Sequence, residues 1–420
     1  MAPTVSTNSI VVQKYGGSSV ATPEKLIQIA ERVIRCRAEH PQLVVAVSAM
    51  GKTTDQLVGL ARQVSTKPRG RDYDLLLASG EQVAVSLLAL ALQEKGTPAI
   101  ALTGAQCEIR TDNAFNRARI QSIDTTRILE ELAQGKVVVI AGFQGVTESD
   151  DVTTLGRGGG DITGAAVAAA LKASVCEICT DVDGVLSADP NLVPDARLWS
   201  EITYEEAIEM ASSGAKVLHP RAAEICMAYG IPIHVRSSFH HKPGTWIRQG
   251  VSEMEQPSVV GVTGDKKIAK VTLLGVPDKP GVAAEVFQDL ADRDINIRLI
   301  IQSASAEEAA RITFILDDEF VDRATELIQH WKQKGIAKDG LVERNMAKIA
   351  IVGSRLSSTP GLAARMFAAL AREHINIDCI SSSEMKVSCV ITTDQLDRAI
   401  KAVHQEFFGK DHSVRQKMGA

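Results

Sequence analysis

The chain has 420 residues, 45% hydrophobic and 23% charged, the balance of a soluble globular protein long enough for two to four domains. A net charge of −5 and only 4% aromatic residues argue against a general basic footprint for nucleic acid and against stacking platforms for bases. No apolar run is long enough to predict a membrane span, and MAPTVSTNS has no signal-peptide core. Seven scattered cysteines predict reduced thiols in a cytoplasm.

In chain order, IVVQKY at 10–15 predicts a short apolar strand, broken by Gly16-Gly17-Ser18-Ser19. A helix follows, with Thr22 as N-cap and Pro23 in its first position. Lys14 places an ammonium beside that glycine turn, although an ordinary strand end also accepts a lysine. LVVAV at 43–47 predicts a buried parallel strand, followed by Ser48-Ala49-Met50-Gly51 and a helix capped near Thr53 or Thr54. Residues 74–93 read as helical, with a helix junction expected at Ser79-Gly80-Glu81 because glycine weakens a helix interior. Glu81 stands in apolar company, where a carboxylate needs a partner or a job.

Short strands are expected at 99–102 and 137–141, the second leading into Gly142-Phe143-Gln144-Gly145. The stretch 152–171, VTTLGRGGGDITGAAVAAAL, then reads as strand end, glycine loop and Ala-rich helix. Glycines allow close backbone approach, and free N–H groups at a helix start attract anions. Arg157 adds a fork suited to a carboxylate or phosphate, and Asp161 either caps the helix or holds an ammonium. Cys176 and Cys179 form a CxxC with no second pair, which suits buried strand thiols better than zinc or redox chemistry. A strand ending at Thr180-Asp181, followed by Asp183, offers carboxylates for magnesium or ribose, or merely closes a turn. A further strand is expected at 231–235. The alternation of elements predicts a mostly parallel sheet covered on both faces.

After a looser junction at 246–268 the chain repeats itself. KVTLLG at 270–275 answers KIAIVG at 348–353, Pro280-Gly281 answers Pro360-Gly361, and Ile295-Asn296-Ile297 answers Ile375-Asn376-Ile377. Strand, Pro-Gly turn, helix and strand recur, predicting a βαββαβ pattern twice. Neither copy carries a catalytic cluster, so ligand sensing or dimerisation is the expectation, with a purely structural tail as the alternative.

Taken together, these pieces resemble the aspartokinases, ATP-dependent kinases of the L-aspartate side-chain carboxylate. The motifs are 14–19 (KYGGSS), 48–55 (SAMGKTTD), 79–81 (SGE), 141–145 (AGFQG), 152–161 (VTTLGRGGGD), 181–185 (DVDGV), 188–190 (ADP) and 216–220 (KVLHP). The resemblance implies an α/β fold: a three-layer α/β/α amino-acid-kinase domain with a mostly parallel sheet at 8–248, then two ACT-like modules at 265–338 and 345–418, between which strands could be exchanged. It also implies ATP with Mg2+, no protein metal site, and a place on the route to lysine, threonine and methionine. Lys14 would stabilise the transferring phosphoryl group, with Asp161 in the catalytic set. Gly16, Gly17, Ser18, Thr180, Asp181, Asp183 and Lys216 would meet the nucleotide. Ser48, Thr54, Glu81, Arg157 and Asp161 would hold aspartate. Asp278, Gly281, Asn296, Ile297, Gln302, Asn376 and Ile377 would bind effector amino acids, lysine or threonine or both. A homodimer or higher oligomer through the ACT modules is expected, with no nucleic acid or membrane partner, and Met254 is a candidate internal start.

Four positions depart from the family pattern. Gly160 replaces a serine, Ile162 a threonine, Leu186 a tyrosine and Asn191 an arginine. Gly160 removes a hydroxyl and leaves room for another acceptor. Ile162 is expected to bring an apolar side chain into a polar helix start, and the last two to weaken nucleotide contacts. These departures keep two other readings open: a non-catalytic homologue acting as sensor or partner subunit, and a kinase for a different acidic amino acid.

Overall fold

The computed structural model describes residues 10–250, 258–304 and 309–409, so the candidate start Met254 lies outside the described residues. Two compact units are present. The first comprises 10–186, 197–212 and 216–250, and the second 187–196, 213–215 and the chain from 258 onward.

The first unit begins β1 (Ile10–Tyr15), α1 (Pro23–Glu39), β2 (Gln42–Val47), α2 (Thr53–Val64), α3 (Arg71–Glu94) and β3 (Ala99–Leu102). It continues β4 (Ile109–Thr111), β5 (Ile120–Ile123), α4 (Thr126–Ala133), β6 (Val137–Ala141), β7 (Gln144–Val146), β8 (Val152–Thr154), α5 (Gly159–Ala170) and β9 (Val175–Thr180). It closes with β10 (Glu201–Thr203), α6 (Tyr204–Ser212), α7 (Pro220–Tyr229), β11 (Ile233–Ser237) and β12 (Thr245–Arg248).

The main sheet runs β10-β12-β11-β9-β1-β2-β6-β3, and within it only the β11–β12 pair is antiparallel. Its central strands read as unbroken apolar runs because both faces are covered: Leu43 through Val47 have no exposed surface. One face packs against α1 and α3 through a cluster that includes Leu26, Ile29, Leu43, Val45, Leu88 and Leu92. On α5, every residue from Gly159 to Ala169 is buried. Its small side chains let it lie close to the sheet; a Cβ at Gly164 would sit only 3.1 Å from Lys14 Cβ. A second sheet, β5-β4-β7-β8, leads into the glycine loop. Its three- and four-residue strands are too short to show a period in the sequence.

Two local expectations are corrected. Gly80 makes no helix junction, since α3 runs unbroken through it. The glycine is there for packing: a Cβ would lie 3.0 Å from Ala49 Cβ and 3.3 Å from Thr53 Cγ2. Neither Thr53 nor Thr54 caps α2, whose N-cap is Lys52; the Thr53 hydroxyl instead donates to Met50 O at 2.6 Å. Helix α3 is long and apolar enough to cross a membrane by composition, but it is half buried within this unit and carries buried Asp74 and Glu81.

The second unit runs β13 (Ser258–Pro277), α8 (Val282–Ala291), β14 (Ile297–Ala304), β15 (Ala309–Asp317), α9 (Val321–Lys334) and β16 (Asp339–Ser354). It ends with α10 (Leu362–Arg372), β17 (Cys379–Ser382), β18 (Lys386–Thr392) and α11 (Leu396–Phe408). Its sheet order is β14-β15-β13-β16-β18-β17. The two long strands are fused pairs. The first half of β13 pairs with the second half of β16, and the second half of β13 with the first half of β16. The first half of β13, ahead of the first repeat, therefore completes the second repeat's half of the sheet, while the first half of β16 closes the first repeat's own half. One core gathers Val271, Phe314, Leu327 and Trp331, the other Ile349, Met366, Leu370 and Val403. Ala188 and Val193, from the segment between β9 and β10, belong to the second core. The Val262 N–H donates to Ser187 O at 2.7 Å, and Ser187 Oγ lies 2.9 Å from His404 Nε2.

Candidate functional site

At the C-terminal ends of β1 and β2 two loops lock together. The Ser48 N–H donates to Tyr15 O at 3.1 Å and the Gly51 N–H to Gly17 O at 3.0 Å. Gly17 is obligatory here, because a Cβ would press to 2.7 Å from the Ala49 carbonyl oxygen. Gly16 lies under the Lys14 ammonium, Ser18 is exposed, and Thr54 is half-buried in the first turn of α2.

The glycine loop is shaped by its neighbours as much as by its own flexibility. Gly158 has φ +76°, and a Cβ there would run into the His219 ring. From the start of α5, Asp161 reaches in two directions. Its Oδ1 lies 2.6 Å from Lys14 Nζ, and its Oδ2 accepts the His219 N–H at 3.0 Å. The pair is largely shielded, each side chain 12% exposed. Asp161 therefore holds the lysine beside the glycine loop. His219 itself caps α7 and has its basicity lowered, burial outweighing the Asp161 charge. Ile162 does not enter the polar helix start. It is fully buried in an apolar cluster with Ala118, Leu155 and Ile225, which corrects the expected intrusion. Arg157 is exposed on the loop.

Glu81 is 2% exposed. Its Oε1 accepts the Ala49 N–H at 3.1 Å, while Oε2 is buried with no hydrogen-bond partner among the described residues. Burial pushes the carboxyl up to about 7, against the pull of that N–H. Asp74, also on α3, is by contrast fully occupied. It accepts from Asn116 N at 2.8 Å, Thr154 N at 2.7 Å and Thr154 Oγ1 at 2.8 Å, as well as from Asn116 Nδ2, and so fixes β8 ahead of the glycine loop.

Strand β9 delivers Thr180, whose carbonyl accepts the Ser238 N–H at 2.7 Å and whose hydroxyl donates to Asp181 Oδ1 at 3.2 Å. Asp181 is exposed, and Asp183 is paired with Lys242 at 2.6 Å. Lys216 is exposed ahead of α7. Leu186 forms an isolated bridge with Leu198. Asn191 donates through its N–H and Nδ2 to Asp189 Oδ1 at 2.9 and 3.0 Å, closing a turn in the segment that folds with the second unit. Among the described residues no group of three or more His, Cys, Asp or Glu could hold a metal ion, and all seven cysteines are unpaired.

In the second unit a cleft of about 360 Å³ is lined by residues 276–283 with Gln302 and Ile312. It brings together Asp278, Gly281 and Gln302. Asn296 is exposed and Ile297 half-buried at the start of β14, neither lining the cleft; Asn376 and Ile377 repeat the same exposures before β17. Sequence reasoning missed the supporting roles of Asp74, His219 and the Ala49 N–H. The His-Pro pair at the start of α7 was the available signal for the second.

The model of the amino acid kinase family matches residues 9–237, and ACT domain models match 270–335 and 349–407. The chain is 44% identical to an aspartate kinase of Stutzerimonas stutzeri over 95% of its own length and 97% of that protein's. It is 45% identical to an aspartokinase of a Bacillus species over the same shares. Among solved structures, aspartokinase III of E. coli in complex with aspartate and ADP matches with a TM-score of 0.84 and 26% identity, covering 95% of this chain and all of that one. The same enzyme in complex with lysine and aspartate matches at 0.69 and 25%, covering 96% of this chain and all of the other.

Proposed function

The chain belongs to the amino acid kinase family as an aspartokinase, and we propose how its residues divide the work of phosphorylating the side-chain carboxylate of L-aspartate with ATP. The observation that carries the reading is Glu81. A buried carboxylate oxygen without a counter-ion is costly unless a cation arrives to meet it. The α-ammonium of the amino acid is that cation, with the Ser48 and Thr54 hydroxyls and Arg157 taking the rest of the acceptor. The acceptor side chain is already a carboxylate at neutral pH, so no general base is required. What remains is positioning and charge neutralisation as the phosphoryl group moves.

Lys14 supplies the positive charge, held in place by Asp161, which is itself steadied by the His219 N–H. Gly16, Gly17 and Ser18 offer backbone and hydroxyl donors to the phosphates, and Thr180, Asp181, Asp183 and Lys216 receive the rest of the nucleotide. Magnesium, arriving with the nucleotide, would add to the charge neutralisation that Lys14 and the loop N–H groups provide.

The second unit is regulatory. Its cleft at Asp278, Gly281 and Gln302 takes an effector amino acid, lysine or threonine, with Asn296, Ile297 and the second-repeat Asn376 and Ile377 contributing once ACT modules pair in a homodimer. The test is ATP-dependent acyl-phosphate formation trapped with hydroxylamine, using L-aspartate and then L-glutamate, each with and without lysine plus threonine. Turnover on aspartate that an effector suppresses supports both parts. Loss of turnover on every acceptor by a folded protein favours the sensor reading instead.

A further inference from the structure

The chain that leaves β11 is pinned across the C-terminal end of β9, the end at which open α/β sheets receive ligands. Ser237 lies in register with Thr180, and the Ser238 N–H donates to Thr180 O at 2.7 Å. The Ser238 hydroxyl is 2.7 Å from that of Ser19 in the glycine turn after β1, and both residues are buried. From α1, buried Arg32 donates through NH1 to Ser237 O at 2.6 Å and to His240 O at 3.3 Å. At the far end Pro243 O lies 2.6 Å from His234 Nε2. Gly244, at φ +75°, then turns the chain back where a Cβ would strike Val235 O. Thr245 Oγ1 accepts the Val185 N–H at 2.8 Å. Both ends of the loop are therefore held, while the Phe239, His240 and Lys242 side chains between them are exposed.

Lys242 faces a carboxylate of the nucleotide side. Its Nζ lies 2.6 Å from Asp183 Oδ2, and His240 Nε2 lies 3.9 Å from Asp183 Oδ1. The Lys242 and Asp183 side chains are 59% and 28% exposed, so water screens the pair and exchanging it for another partner costs little. The ammonium groups beside the glycine turn are engaged elsewhere. Lys14 is held by Asp161 at 2.6 Å, and Lys25 donates to Ser18 O at 3.1 Å and sits 5.0 Å over the Phe239 ring. A polyphosphate carries several negative charges and competes well against one carboxylate for a mobile ammonium. Resting on the kinase reading above, we propose that Lys242 is a further nucleotide-binding residue, held on Asp183 until the nucleotide arrives and then turned to its polyphosphate, which releases Asp183 to a ribose hydroxyl. The exchange gives up one exposed ion pair and forms two charge-assisted contacts in its place.

A double-mutant cycle tests this, with the ATP and aspartate KM read from hydroxamate formation by the full chain, Lys242→Ala, Lys242→Arg, Asp183→Asn and the Asp183→Asn/Lys242→Ala double variant. Lys242→Ala is expected to raise the ATP KM roughly tenfold while the aspartate KM stays within about twofold. Lys242→Arg keeps the charge, and its ATP KM should stay within about threefold of the unsubstituted value. The double variant separates a phosphate contact from a brace. A lysine that meets phosphate is missed just as much when residue 183 is already neutral, so Lys242→Ala should again raise the ATP KM roughly tenfold in the Asp183→Asn background. A lysine that only steadies Asp183 causes no further loss there, and that result overturns the proposal. So does an ATP KM unchanged by Lys242→Ala, an equal loss for ATP and aspartate, or as large a loss in Lys242→Arg. An unsubstituted protein that forms no acyl phosphate from aspartate and ATP would overturn the kinase reading and this proposal with it, a result distinct from an active protein indifferent to Lys242.

Discussion

Glu81 and Glu177 are buried glutamates of the same unit, 2% and 7% exposed, and they differ in what meets the charge. Burial alone would push Glu177 up. It accepts from Gln13 Nε2 at 2.7 Å and Arg236 NH1 at 3.0 Å, with His234 Nδ1 at 3.5 Å, and these partners outweigh burial and bring it down to about 2. Glu81 has one backbone N–H and stands at about 7. The satisfied carboxylate ties β1, β9 and β11 together and is structural. The unsatisfied one lies beside the loops that hold Ser48 and Lys14, and costs the empty protein stability. A sequence shows two glutamates among apolar residues; only the partners tell them apart.

The largest expected effect lies on the unsatisfied side of this comparison. Lys14→Ala should leave the fold intact by circular dichroism and reduce turnover on the order of a thousandfold or more, since a charge acting in the transition state is lost. Near-normal turnover by the folded variant would contradict its role.

Next come opposite stability effects. Glu81 has a folded value raised above its ordinary 4.5, so its contribution is fully present below that value and is lost as pH rises through about 7. At pH 8 the ionised group costs the empty protein about 3 kcal/mol, and Glu81→Gln should raise stability in denaturant unfolding. Glu177 is lowered, so its contribution is present above 4.5 and lost as pH falls through about 2. Glu177→Gln should lower stability by about 3 kcal/mol at pH 7, with the difference closing toward pH 2. Shifts of the same sign in both variants would break the comparison.

The smallest effect concerns Asp278, an exposed carboxylate in the regulatory unit. Asp278→Ala should raise the effector concentration for half-inhibition roughly tenfold, read from inhibition curves with lysine and threonine, as suits the loss of one charged contact. An unchanged inhibition curve would remove Asp278 from the effector site.

Much of this was legible beforehand. The apolar runs at 10–15 and 43–47 and the Thr22-Pro23 cap lie where they were expected, because each follows from local chemistry. The offset of eighty between Asn296 and Asn376 announced the repeated second unit. What was not legible depends on neighbours distant in sequence. Gly80 was misread as a break because the Ala49 loop that needs its bare Cα lies thirty-one residues earlier in the chain. The pairing of Asp161 with Lys14, far earlier in sequence, is likewise a contact that only the fold reveals. The β5-β4-β7-β8 sheet has strands too short to show a period. Gly160 was expected to leave room for another acceptor, yet a Cβ there would meet Ser48 Oγ and lie 3.2 Å from Lys14 Cε, neighbours that the chain alone does not reveal.

The most direct test of the central claim is the aspartate KM, from hydroxylamine-trapped acyl phosphate, measured from pH 6 to pH 8.5 for the unsubstituted protein and Glu81→Gln. The proposed reading has ionised Glu81 bind the ammonium, so the unsubstituted KM should rise as pH falls below about 7. The variant's KM should be roughly tenfold higher and flat across the range. A flat profile in the unsubstituted protein, or an unaltered KM in the variant, would show that Glu81 does not meet the acceptor.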